Sequence, residues 1–165
     1  MFIFNMERNI IMNTQLSYQL ELLNQNDKML NDLYHNYASS LNLSDTALWI
    51  IYIAWIQEDG CTQKDICEIW SYTKQTINTA LKNLEKQGYI KLIPMPENRK
   101  SKKILFTDTG KIFAKKVITP LLEAETVSFG KLTEKERNDL VFLSQKRTML
   151  FEKEIEKTIA AISKE

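Results

Sequence analysis

Seven polar residues stand within ten positions of one another: Thr73, Lys74, Gln75, Thr76, Asn78, Thr79 and Lys82. Ile77, Leu81 and Leu84 recur among and just after them at helical spacing. Turning those three inward leaves Gln75, Thr79, Lys82 and Lys86 on the opposite stripe. Lys74 and Asn78 fall beside that stripe, with Thr73 and Thr76 near its N-terminal end. Gln and Asn amides match the donor–acceptor pair on an adenine edge, a Thr methyl meets a thymine methyl, and Lys reaches phosphate or guanine. The free amides of a helix N-terminus add a phosphate site. One such lysine alone would mean only a solvated helix face.

Charge decides between the two readings. The chain has 165 residues, with 22 Lys+Arg against 21 Asp+Glu, and its net charge of +1 argues on its own against a nucleic-acid partner. Segmentation reverses that. From Ser71 to Lys116, eleven basic residues stand against Glu85, Glu97 and Asp108, a net of +8. The other 119 residues hold eleven basic and eighteen acidic groups, a net of −7. Duplex DNA carries one negative charge per roughly 1.7 Å of axis, so a patch of this kind gains free energy by releasing counterions.

Other chemistries are excluded or poorly supplied. Gly60, Gly88, Gly110 and Gly130 are at least 20 residues apart, which leaves no P-loop and no dinucleotide-binding glycine turn. His35, Cys61 and Cys67 are the only nitrogen or sulfur ligands for zinc, too few for a four-cysteine, mixed or three-histidine site. No nucleophile motif accompanies His35, which reads as a polar helix residue. The expectation is a non-enzyme with no cofactor and no metal.

The elements that position the basic face follow from punctuation and period. Residues 14–39 carry leucines at helical spacing, on a long first helix. Ser44 caps a second helix through the apolar run Ala47–Ile56 to Glu58, and Thr62 with Asp65 forms a variant capping box opening a third, to about Trp70. Thr73 caps the fourth, which Gly88 stops. The period then shortens, so that 89–93 and 103–106 read as a β-hairpin with a basic tip over 94–102. Thr107 and Gly110 open a helix bent at Pro120, and Thr133 with Glu136 caps a last one. The fold class is mainly α with a small β-hairpin: a winged helix-turn-helix over 44–108, an N-terminal extension and dimerisation helix over 1–43, and C-terminal dimerisation helices over 109–165.

The stretches TQKDICEIWSYTKQTINTALKNLEKQGYIKL and NRKSKKILFTDTG resemble the DNA-binding lobe of the multiple-antibiotic-resistance regulator (MarR) family. The strongest parts are Tyr72–Ile77 and Leu84–Ile90, and the likeness extends over nearly the whole chain. It implies a homodimeric winged-helix transcription regulator, more often a repressor, of a kind that often responds to a small-molecule effector or an oxidant. It places a recognition helix over 73–87 in the major groove and the wing over 94–103, led by Arg99, in the minor groove. Lys100, Lys102 and Lys103 support that wing. The usual Asp-Arg-Arg of the wing is here Asn98-Arg99-Lys100, which removes an aspartate that would orient the arginine. Tyr34, Tyr37, Trp49, Tyr52 and Trp55 lie on the first two helices, where the family forms effector pockets; aromatics at this spacing read first as core.

Cys67 reads as a small core residue and Cys61 as the more exposed thiol, with no redox sensing expected. The apolar start of the chain lacks a basic region, Met6 and Met12 are alternative starts, and no run is long enough to span a membrane. Two cysteines six apart suit a reducing cytoplasm, and the Ile, Lys and Asn bias suits a low-GC bacterial source. The terminal apolar stripes exceed what so small a monomer buries and suit a two-fold interface. Against a DNA-binding regulator stand an adaptor whose basic wing meets an acidic protein, and a small-molecule-binding protein without a DNA role.

Overall fold

The computed structural model describes residues 14–57, 60–70, 72–96 and 101–163. Its elements run α1 (Thr14–Ser40), α2 (Asp45–Ile56), β1 (Cys61–Thr62), α3 (Gln63–Trp70), α4 (Lys74–Lys86), β2 (Ile90–Pro94), β3 (Lys102–Phe106), α5 (Asp108–Gly130) and α6 (Glu134–Ile162). The mainly helical, winged fold read from the sequence is what the chain adopts. Two compact units divide it, one ending at Ile118 and the other starting at Thr119, beside Pro120 within α5.

The first unit is built around α2. Its sequence is apolar on every side, the pattern of a helix enclosed by neighbours, and Leu48, Ile50, Ile51 and Ile53 are fully buried. α2 packs on α1, α4 and β3, and α4 in turn on α3 and β2. Ser44 caps α2 by accepting from the Ala47 amide at 3.2 Å. The helix ends at Ile56, short of Glu58, which lies outside the described residues. At the end of α1 the chain turns through Asn42, whose φ of 56° is left-handed. The Leu43 amide reaches back to the Ala38 carbonyl there, a Schellman closure with asparagine in place of glycine.

The hairpin is one strand larger than the sequence suggested. β1 pairs antiparallel with β3 (Cys61 opposite Ile104, Thr62 opposite Lys103), giving a three-stranded sheet in the order β1-β3-β2. A two-residue strand has no room to show alternation. Gly60, just before it, has φ of 80°, and a Cβ there would stand 2.6 Å from Leu105 Cδ2 and 2.8 Å from the Ile104 carbonyl oxygen. Only glycine lets β1 come this close to β3.

The second unit holds the end of α5 and all of α6. Thr133 and Glu136 form a complete capping box: the Glu136 carboxylate accepts from the Thr133 amide at 2.8 Å, and Thr133 Oγ1 accepts from the Glu136 amide at 3.3 Å. The Thr133 amide and the Thr133 hydroxyl, both donating to that carboxylate, hold the Glu136 carboxyl below its usual range. None of the described residues of α6 is buried, although Leu140, Leu143, Leu150, Ile155, Ile159 and Ile162 mark its length.

Candidate nucleic-acid interface

The face of α4 divides as its spacing requires. Ile77, Ala80, Leu81 and Leu84 are buried, and each fully buried Ile or Leu contributes roughly 1.5–3 kcal/mol toward holding the helix on its neighbours. Thr73, Lys74, Gln75, Thr76, Asn78, Thr79 and Lys82 are all exposed. The N-cap forms as the sequence indicated: Thr73 Oγ1 accepts from the Thr76 amide at 3.2 Å and lies 2.8 Å from Thr76 Oγ1. The Thr79 hydroxyl donates to the Gln75 carbonyl at 3.1 Å, which occupies its donor and leaves the methyl as its free contact surface. At the other end Gly88 adopts φ of 77°, with Tyr89 N donating to Leu84 O and Gly88 N to Glu85 O, a Schellman motif that aims the chain into β2.

α3 holds the start of α4. The Gln63 side-chain amide donates to the Lys74 carbonyl at 2.9 Å, and the Thr62–Asp65 capping box is present, with Asp65 Oδ2 accepting from the Thr62 amide at 2.7 Å. β2 and β3 pair in register from Ile90 opposite Phe106 to Pro94 opposite Lys102. Lys102 is exposed, whereas Lys103 is half-buried between β1 and β2, its stem near Gly60. Arg99 and Lys100 lie outside the described residues.

Between α3, α4 and the hairpin runs a groove of about 550 Å³. Lys64, Lys74, Lys82 and Lys102 stand on its walls with Gln63, Asn78, Ser101 and Glu85, and Cys67, Leu81 and Leu92 supply its thiol and apolar lining. Four ammonium groups against one carboxylate make it strongly cationic. It draws Lys74, Asn78 and Lys82 together with Lys102, while Gln75 and Thr79 are not among its walls.

Residues 41–101 match the model of the MarR family. An uncharacterised HTH-type transcriptional regulator of Bacillus subtilis (strain 168), YybA, is 34% identical over 76 residues, 46% of this chain and 47% of that protein. The chain thus spans about half the length of this curated relative. The solved structures agree on the fold. A MarR family regulator from Neisseria meningitidis, NMB1585, superposes with a TM-score of 0.72 at 24% identity, covering 85% of this chain and 98% of its own. S. aureus MepR in its DNA complex gives 0.65 at 20% identity, covering 76% and 96%.

The five aromatics of the first two helices do not form one cluster. Tyr34 packs on Trp49 with ring centroids 4.8 Å apart, and Trp49 on Tyr52 at 5.5 Å. Trp55 instead meets Phe106 edge-on at 6.3 Å, and the Tyr37 hydroxyl donates to the Val117 carbonyl at 2.6 Å. His35 Nδ1 lies 3.0 Å from Asp45 Oδ1, tying α1 to the first turn of α2.

The two cysteines exchange the roles expected of them. Cys61, expected to be the more exposed, is 1% exposed in β1, and burial, aided by the Asp65 charge, pushes its thiol up to about 11. Cys67, expected in the core, is half-buried and faces the groove. Pairing of β1 with β3 turns Cys61 inward. Sequence reasoning also passed over Lys64, because Asp65 and Glu68 beside it make that segment acidic; its helical spacing to Cys67 was the available signal.

Proposed function

We propose that this protein is a homodimeric, DNA-binding transcription regulator, acting as a repressor in the cytoplasm and relieved by a small-molecule effector. Its recognition helix reads a pseudo-palindromic operator. The α4 face, where all seven polar residues are exposed and three of them, Lys74, Asn78 and Lys82, line a lysine-walled groove, is the observation that carries this reading. In it, Gln75, Thr76 and Thr79 meet base edges, with the Thr79 methyl aimed at thymine. Thr73 and Lys74 sit at the helix N-terminus, where free amides favour phosphate. Asn78 and Lys82 contact the adjacent backbone or base edges, and Arg99, Lys100, Lys102 and Lys103 hold the wing against phosphate or in the minor groove.

The DNA complex of S. aureus MepR, a protein of the same fold, supports the DNA partner. Exposed apolar stripes on α1 (Leu16, Leu20, Leu23, Leu30, Leu33) and on α6 support a two-fold interface. Tyr34, Trp49 and Tyr52, with Tyr37 and Trp55 on the same two helices, are the residues toward which an effector is assigned. Among the described residues no helix is long and apolar enough to cross a membrane. The test is fluorescence anisotropy with duplex from upstream of the protein's own gene. Affinity that falls steeply as salt rises supports the regulator, and absent or salt-insensitive binding supports the protein adaptor instead.

A further inference from the structure

A helix that reads base edges has to be held in direction by side chains packed behind it. The chain leads into α4 through Tyr72, the residue before the Thr73 cap, and Tyr72 is half-buried whereas Thr73 to Thr76 are exposed. The Tyr72 hydroxyl stands against the first turn of α2, where it shares a hydrogen bond with the Thr46 side chain and feels the Asp45 carboxylate. Burial first and the Asp45 charge second push that hydroxyl above its ordinary range, and the Thr46 bond opposes them. On its other side Asp45 meets α1: His35 Nδ1 lies 3.0 Å from Asp45 Oδ1 and 3.2 Å from Oδ2. A carboxylate only accepts, so Nδ1–H is the donor. We infer that Asp45 is a positioning residue for DNA reading: between His35 of α1 and Tyr72 it fixes the direction in which the chain enters α4. The inference rests on the DNA-binding reading above and adds to it a residue behind the polar α4 face.

Three observations carry it. Asp45 rides on the most deeply buried helix of its unit, one residue past the Ser44 cap, so its backbone is held. Asp32, one turn before His35 on α1, is already paired with Lys28, so His35 turns across to α2 and not along its own helix. Lastly, the His35 and Asp45 side chains are 61% and 47% exposed, and an ion pair of that kind adds little stability. Orientation is what such a contact supplies.

His35 is the only histidine of the chain. Its imidazole therefore gives a single NMR signal, which watches Asp45 from a helix that carries none of the proposed DNA contacts. The experiment follows that signal in the full-length protein at one fixed pH, with and without saturating operator, for the wild type and Tyr72→Phe. Operator affinity and thermal unfolding are measured for the wild type, Tyr72→Phe and Asp45→Asn. Expected is a shift of the His35 signal on operator binding, most of which Tyr72→Phe removes. Operator affinity should fall about five-fold in either variant, with the unfolding midpoint within a few degrees of wild type. A His35 signal that operator leaves unmoved, or moves equally in Tyr72→Phe, overturns the assignment. So does wild-type operator affinity in Asp45→Asn, including the case where its unfolding midpoint drops, which would mark a contact that only stabilises. Each of these results, with the wild type still preferring operator to random duplex, leaves the DNA-binding reading standing; a wild type that binds no duplex removes both.

Discussion

The carbonyl oxygen of Tyr89 stands where residue 110 would have to carry a side chain: a Cβ on Gly110 would lie 1.7 Å from it. The contact locks the base of the hairpin against the first turn of α5. Thr107 completes it, its amide donating to Tyr89 O at 3.0 Å and its hydroxyl to Gly88 O at 2.6 Å. Gly110 N in turn donates to Thr107 Oγ1 at 2.9 Å, capping α5. Tyr89 also stacks flat on Phe113, with centroids 4.1 Å apart. The wing is thereby held to the scaffold through backbone atoms that cannot give way.

Gly110→Ala should therefore destabilise the protein by about 3 kcal/mol, at the upper end of overpacking costs. Thermal unfolding measures this, and the loss should come with weaker binding to every duplex as the hairpin shifts.

Gly88→Ala offers a contrast. A Cβ there meets nothing within 4 Å, so only the left-handed φ of 77° is costly. The expected loss is about 1 kcal/mol, with Gly88→Asn milder than Gly88→Ala. A loss as large as that of Gly110→Ala would show a steric role that the structure does not contain.

The buried thiol of Cys61 gives a pH signature. Its folded value of about 11 lies above the 9.0 of an ordinary thiol. The unfolded chain gives up that proton first, so Cys61 supports stability below pH 9 and loses that contribution as pH rises toward 11. The slope is at most about 1.4 kcal/mol per pH unit. Denaturant unfolding between pH 8 and 11 should show this decline, and Cys61→Ala should flatten it.

Thr73→Ala removes the cap of α4 and should cost about 1 kcal/mol of stability. Restoring the cap with Thr73→Ser should recover most of it in the same unfolding experiment.

Much of this was legible in the sequence because local rules and tertiary demands coincide. Ser44, Thr73 and Thr133 cap the helices that follow them, Gly88 ends α4, and Ile77, Leu81 and Leu84 face inward as their spacing requires. What escaped depends on pairing between distant segments. β1 exists only because Cys61 and Thr62 find Ile104 and Lys103, about forty residues on, and that pairing reverses the exposure expected for the two cysteines. Lys64 was hidden for a related reason. Charge counted along the chain averages it with Asp65 and Glu68, whereas folding sets it across a groove from Lys102.

The central claim is that the exposed face of α4 reads base sequence. It is tested most directly by the ratio of operator to random-duplex affinity for wild type, Gln75→Ala and Lys102→Ala at one fixed salt concentration. Gln75→Ala should lose about 1–3 kcal/mol on the operator alone and so lower the ratio, while Lys102→Ala should weaken both duplexes alike and preserve it. Equal losses on operator and random DNA for Gln75→Ala would contradict base reading by this helix.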